Sequence, residues 1–239
     1  MTDLDQLRRV AIIAGVLAIV VGLISIVLGL LAVDWDLEAL TFGDPQRTLR
    51  AGPDGALLWR WSMLLDVFYS YVLLVPVALY GHRRLRDRRP WLADIGLTGA
   101  LMYIALGAAS AAILGIAGSS LIEAHATAAS TEQVVIESAF RVLRDALYFG
   151  VWQTLDPITA GTWLLSTGVL LLPDRRVLGR LLVPLGAGLW LGALMTMLGV
   201  HSLSVLGAIL LGALAIWLVW LGFDRRWPDS RAAERARKA

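Results

Sequence analysis

Residues Val10–Val33 read VAIIAGVLAIVVGLISIVLGLLAV, 24 positions without a charge or a proline. The hydrocarbon core of a bilayer, about 30 Å thick, is crossed by roughly 20 residues of helix at about 1.5 Å each. This stretch is long enough. Its apolar character is continuous, where a barrel strand would alternate, so a membrane-spanning helix is expected. Arg8 and Arg9 precede it in the manner of a secretion signal. A cleavable signal has an apolar core of only about 7–15 residues and a small-residue cleavage site. The run ends Leu31-Ala32-Val33-Asp34, so the helix is expected to be retained.

Working outward, five further apolar runs have spanning length: Leu57–Tyr80, Leu92–Ser119, Tyr148–Leu172, Leu181–Val200 and Leu203–Phe223. The expected fold class is all-α, a polytopic membrane bundle of six transmembrane helices. It forms one domain over 1–223, followed by a basic cytoplasmic tail over 224–239. Composition agrees. The 239 residues are 58% hydrophobic and 17% charged, with mean hydropathy +0.70, against about 45–50% and about 25% in soluble domains. A soluble globular domain, a disordered chain and a nucleic-acid-binding module are all excluded. The absence of Cys removes disulfides, thiolate metal sites and a Cys nucleophile. Lys238, in the tail, is the sole lysine, so no amine is placed for a retinal or pyridoxal Schiff base. Arg in place of Lys, with abundant Ala and Leu, points to a GC-rich bacterial genome and a multi-pass protein of the bacterial cytoplasmic membrane.

Basic residues set the orientation. With both termini inside, inner segments hold 16 Arg and Lys, and outer segments hold 5 (Arg47, Arg50, Arg60, Arg141 and Arg144). The outer segment 34–56 reads as turns. The outer segment 120–147 is different. Ser130-Thr131-Glu132-Gln133 resembles a capping box, and Glu137/Arg141 and Arg141/Asp145 are i,i+4 pairs. An amphipathic helix is expected over about 131–147, either lying on the outer surface or running directly into the fourth span. Gly15, Gly22 and Gly29 recur every seven residues in the first span, Gly188 and Gly192 lie four apart in the fifth, and Ala108, Ala111, Ala112 and Gly115 line the third. Small residues let helix backbones approach in lipid. The faces fit close packing within the chain, or contact with a membrane partner or a second copy.

Two acids fall inside spans: Asp66 in the second and Asp156 in the fourth. An Asp at mid-bilayer costs about 2.5–3.5 kcal/mol on insertion scales, so such residues turn toward protein or water. Ser62, Asp66 and Tyr69 share one helical face, and Gln153, Asp156 and Thr159 share another. Both spans run from outside to inside, with Asp66 17 residues before Arg83 and Asp156 19 residues before Arg175, so the two acids are expected at similar depth. Pro157 removes a backbone donor beside Asp156. These residues define a candidate polar pocket open to the outer side, with Arg60, Arg144 and His201 as counter-groups at its mouth. The alternative is that each Asp bonds a neighbour and holds the bundle together.

No catalytic residue, metal site or cofactor is expected. His82, His125 and His201 have neither metal-ligand spacing nor a place inside a span, and motifs for a serine elbow, a phosphate loop or a zinc protease are missing. Arg83, Arg84, Arg86, Arg88 and Arg89 crowd one inner loop. They serve as a topology determinant or grip anionic lipid headgroups, at about 1 kcal/mol per charge. A faint internal echo aligns the second span, its Arg-rich loop and the third span with the fourth, its loop and the fifth. It would make Asp66 and Asp156 counterparts.

Three stretches carry a likeness to a family: Arg9-Val10-Ala11-Ile12-Ile13-Ala14-Gly15; Trp59-Arg60-Trp61-Ser62-Met63-Leu64-Leu65-Asp66 leading to Val77-Ala78-Leu79-Tyr80; and Leu172-Pro173 through Val177-Leu178-Gly179 to Leu185-Gly186-Ala187-Gly188. In these the chain resembles the six-span bacterial membrane family called domain of unknown function 4386. The resemblance implies six helices and an intramembrane Asp, and assigns no reaction. Three functions stay open at this point. One is a non-enzymatic protein with an outward polar pocket, acting as a small transporter or a ligand- or lipid-binding component. Another is a scaffold or interaction subunit of a membrane complex. The third is an enzyme acting on a lipid-linked substrate.

The orientation has a direct test, because the chain is naturally free of cysteine. In intact cells, His125→Cys should react with a membrane-impermeant thiol reagent, and Arg235→Cys only after permeabilisation. The opposite pattern would invert the topology.

Overall fold

The computed structural model describes residues 3–40 and 45–200. Among these the chain is all-helical. The elements are α1 (Asp3–Ala32), two short turns of helix, α2 (Leu37–Leu40) and α3 (Pro45–Leu49), then α4 (Gly52–Leu85), α5 (Pro90–Thr127), α6 (130–171) and α7 (Arg176–Met197). The expected sixth span, Leu203–Phe223, and the tail 224–239 lie outside the described residues. Four of the described helices, α1, α4, α5 and α7, are long and apolar enough to cross a membrane.

Helix α6 departs from that pattern. The expected fourth span, Tyr148–Leu172, is helical but falls short of a membrane-length apolar stretch. Gln153, Thr154, Asp156, Pro157, Thr159, Thr162, Ser166 and Thr167 dilute it. The reason is its position. Between Asp156 and Leu171, 11 of 16 residues are buried, against 7 of 22 in α7. A helix enclosed by protein has little lipid to satisfy, and its polar groups turn inward. The amphipathic stretch that opens at Ser130 continues unbroken through Leu171, so it runs directly into this buried helix.

Helix α1 shows the opposite balance. Ala11, Ala14, Gly15, Ala18, Gly22, Ser25, Gly29 and Ala32 form its buried face, toward α4. Ile13, Leu17, Leu23 and Ile24 on the other side are exposed, as residues facing lipid should be. Thus the seven-residue glycine stripe is spent on packing within the chain. A Cβ at Gly22 would lie 2.8 Å from the Tyr69 ring of α4. Ser25 and Ser62 lock the same interface, each hydroxyl donating to the other's carbonyl, at 2.8 and 2.9 Å.

Glycine also sets the seams of α6. A Cβ at Gly99 of α5 would stand 2.8 Å from the Thr159 carbonyl oxygen. A Cβ at Gly161 would stand 2.8 Å from the Gly186 oxygen and one at Gly186 2.8 Å from the Gly161 oxygen, and a Cβ at Gly179 would stand 2.7 Å from the Gly168 oxygen. The seams thus hold three backbones closer than any side chain permits. By contrast, Gly188 and Gly192 have no described atom within 4 Å of a would-be Cβ.

The two ends differ. At the cap end, Trp59, Phe140, Leu49, Leu114 and Ile122 form a fully buried cluster under α2, α3 and the start of α6. At the arginine end, the turns 86–89 and 172–175 meet. Arg88 donates to the Leu170 carbonyl at 2.6 Å and pairs with Asp174. Helix α7 ends where Gly199, at φ +81°, closes a C-cap with Val200 N–H donating to the Met195 oxygen at 2.9 Å.

The seam predicts a contrast. Gly99→Ala should lower stability in detergent by about 1–3 kcal/mol, the scale of an overpacked core. Gly188→Ala, where no described atom crowds a Cβ, should not lower it, and the better helix former adds up to about 1 kcal/mol. Equal thermal shifts for the two variants would remove the close-approach account of α5 and α6.

Candidate functional site

Helices α4 and α6 each change pitch beside an acid. Helix α4 is α-helical to Asp66, passes through a π-helical turn at Val67–Tyr71 and a 3-10 turn at Val72–Leu74, and resumes with Pro76 in its first turn. Helix α6 is π-helical over Asp145–Leu155 and returns to α at Asp156, again with a proline, Pro157, in the first turn. Proline lacks an N–H and is readily placed at such a restart. A π-turn brings i and i+5 into line, whereas an α-helix aligns i with i+4. Tyr71, five residues after Asp66, is rotated inward by that change.

There it meets the other acid. Tyr71 Oη donates to Asp156 Oδ2 at 3.1 Å. The Tyr71 ring lies 5.1 Å from that of Tyr103 of α5, tilted by 51°, and fills the space left by the missing side chain of Gly107. Asp156 is 1% exposed, and its Oδ1 has no hydrogen-bond partner among the described residues. Asp66 is half-buried and accepts from Ser70 Oγ at 2.6 Å, with Tyr69 also acting on its carboxylate. The two carboxylates are within electrostatic reach of each other, and Tyr71 feels both. The groups acting on the two acids are hydroxyls and the acids themselves. No arginine or histidine among the described residues is one of them.

The other pocket candidates are placed as follows. Ser62 turns to α1 instead, where its hydroxyl is committed to Ser25. Thr159 turns its hydroxyl back on its own helix, donating to the Leu155 and Asp156 carbonyls at 2.9 and 3.1 Å. Gln153 is buried on the π-helical stretch before Asp156. Arg60 is exposed near the cap end of α4. Arg144 binds Asp145 at 2.6 Å and lies 5.5 Å from the centre of the Phe149 ring. Neither arginine acts as a counter-group to the acids. His201 lies outside the described residues.

In the arginine loop, Arg86 reaches Asp94 at 3.5 Å, which also holds His82 at 2.7 Å, and Arg88 is bound as described above. Arg83 and Arg89 are exposed and Arg84 is half-buried. A cleft of about 10 Å³, room for about one water, opens at this end between His82, Gly96, Trp163 and Ser166. It is distinct from the two acids.

Tyr71, Tyr103 and Ser70 are the residues that sequence spacing alone misses. Tyr71 is invisible to an α-helical wheel, since i+5 from Asp66 falls off the acid's face. The stretch Tyr69-Ser70-Tyr71 was the available signal: three hydroxyls in a row within an apolar run. Comparisons with family models, curated proteins and solved structures found no match to this chain.

Tyr71 makes a sharp test of the geometry. Tyr71→Phe keeps the ring against Tyr103 but deprives Asp156 of its donor, and should destabilise by about 1–3 kcal/mol. An unchanged melting temperature would mean that the hydroxyl and Asp156 do not meet.

Proposed function

We propose that the chain is a multi-pass protein of the bacterial cytoplasmic membrane with six spans and both termini inside. In this reading it is non-enzymatic and holds a small ligand in a polar pocket around Asp66 and Asp156, open to the outer side. It would serve as a small transporter or as a ligand- or lipid-binding component. The observation that carries the reading is Asp156: an acid 1% exposed, with one carboxylate oxygen left without a partner among the described residues. A bundle that needed only packing at this position would use an apolar residue, because an unsatisfied buried polar group costs about 1–3 kcal/mol. The π-helical turns beside both acids add support, since such turns cluster at functional sites. Asp66, half-buried and within electrostatic reach of Asp156, offers a way in from one side. Exposed Arg83 and Arg89 support contact with anionic lipid. Membership of the domain-of-unknown-function 4386 family belongs to the same proposal and rests on the three stretches that resemble it.

A scaffold or interaction subunit is the second reading. It is favoured by the commitment of Ser62 and Thr159 to helix contacts and by the Gly188/Gly192 face, which meets no atom of the described residues and is shaped to seat another helix.

Cysteine chemistry separates the two readings. A single Asp66→Cys should be modified from the outer side by a small impermeant thiosulfonate, while Leu164→Cys, at a 1% exposed position, should resist. An Asp66→Cys variant that is folded and fully protected would rule out the outward pocket and leave the scaffold.

A further inference from the structure

We infer that Asp156, with Asp66 behind it, forms a binding site for one small monovalent cation, a proton or a sodium-sized ion. The inference rests on the pocket reading and names the ligand class of that pocket. Its first support is hydrogen-bond accounting. An ionised carboxylate has about four acceptor sites. Asp156 receives one donor, Tyr71 at 3.1 Å, and its Oδ1 receives none among the described residues. A buried charge left in that state is costly unless a counter-charge or a proton supplies what is missing.

The second support is the sign of the surroundings. The titratable groups around Asp156 are Tyr71, which donates to it, Tyr103 of α5, packed on Tyr71, and Asp66 of α4, within electrostatic reach and itself beside Tyr69. All are phenols or acids. The charges brought together here are negative, so the complement is positive.

The third is the local backbone. Pro157 has no N–H, so a carbonyl one turn upstream loses its helical donor, in a stretch already drawn into π-helical pitch. Carbonyl oxygens released at helix breaks, next to an acid, are the means by which membrane helices hold Na⁺ or H⁺. Size completes the selection. The Tyr71 ring occupies the space over Gly107, and Asp156 is almost wholly covered. An organic ammonium would have no volume to enter, whereas a proton or an alkali ion needs little.

The experiment uses the full chain purified in detergent, in weakly buffered solution. The probes are NaCl, KCl and choline chloride at matched ionic strength. Thermal unfolding and proton release to an indicator dye are measured together. If the ligand is sodium-sized, NaCl should raise the melting temperature and release protons in the wild type, choline should do neither, and Asp156→Asn should abolish both responses. If the ligand is a proton alone, all three salts should behave alike, while the infrared carbonyl band of a protonated acid should follow pH and vanish in Asp156→Asn. Tyr71→Phe supplies a second variant should Asp156→Asn fail to fold. It should shift the half-maximal Na⁺ or H⁺ concentration by about 2- to 10-fold, as expected for one hydrogen bond. A wild type that responds to neither ion nor pH overturns the inference, as does a response that both variants retain unchanged. Reactive Asp66→Cys together with a silent cation response would leave a pocket of another ligand class. A protected Asp66→Cys with an intact response would leave a cation site closed to the outer side.

Discussion

Close contact between helix backbones holds α6 in place, and the buried acid depends on it. In lipid no water is expelled when two apolar helices meet, so association rests on van der Waals contact and on the few polar bonds available. Gly99 on one side of α6, and Gly179 and Gly186 on the other, let α5 and α7 close on its backbone at distances that a methyl group would already prevent. This enclosure lets residues 156–171 carry Asp156 and a run of Thr and Ser while 11 of the 16 residues are buried. Were the seams wider, Asp156 and its run of Thr and Ser would face lipid or require water.

The π-helical turns determine which residues meet. A continuous α-helix over residues 52–85 would present Asp66 and Ser70 on one face and leave Tyr71 about 140° around from Asp66. With the turn at Val67–Tyr71 the chain gains a residue within the helix, so the tyrosine swings across to Asp156 while Tyr69 stays against Gly22 of α1. Two neighbouring tyrosines thereby serve two interfaces. The π turn of α5, Leu114–Gly118, lies against the first half of α4, where a Cβ at Gly115 would stand 2.9 Å from that of Met63.

These features account for how much could be read in advance. The helical class was legible because long apolar runs leave a chain in a membrane no other way to satisfy its backbone. The glycine stripe of α1 was legible because its repeat stays in phase over four turns. The burial of Asp156 was legible from its residue type within an apolar run. The partners of the two acids were not. Ser62 and Thr159 share helical faces with the acids, yet their hydroxyls are drawn to nearer carbonyls. Tyr71 reaches Asp156 through a pitch change that no residue-type pattern announces. Arg144 was a plausible counter-ion by charge, but the adjacent Asp145 claims it.

The distribution of charge then has a chemical meaning. At the arginine end Arg88 meets Asp174 and Arg86 meets Asp94; at the cap end Arg47 meets Asp36 at 3.2 Å. These three acids at the ends have guanidinium partners, whereas the acids at the centre have phenols and a serine. The difference matters because a guanidinium stays charged throughout the accessible pH range and would fix a central carboxylate as a permanent ion pair. A phenol hydroxyl donates to a carboxylate without neutralising it, and it can remain a partner when the carboxyl is neutral, by donating or by accepting. An acid held in this way keeps its position while its charge changes. Retaining geometry across two charge states is what a site needs if it is to take up and release a cation within a membrane, and a purely structural ion pair has no use for it.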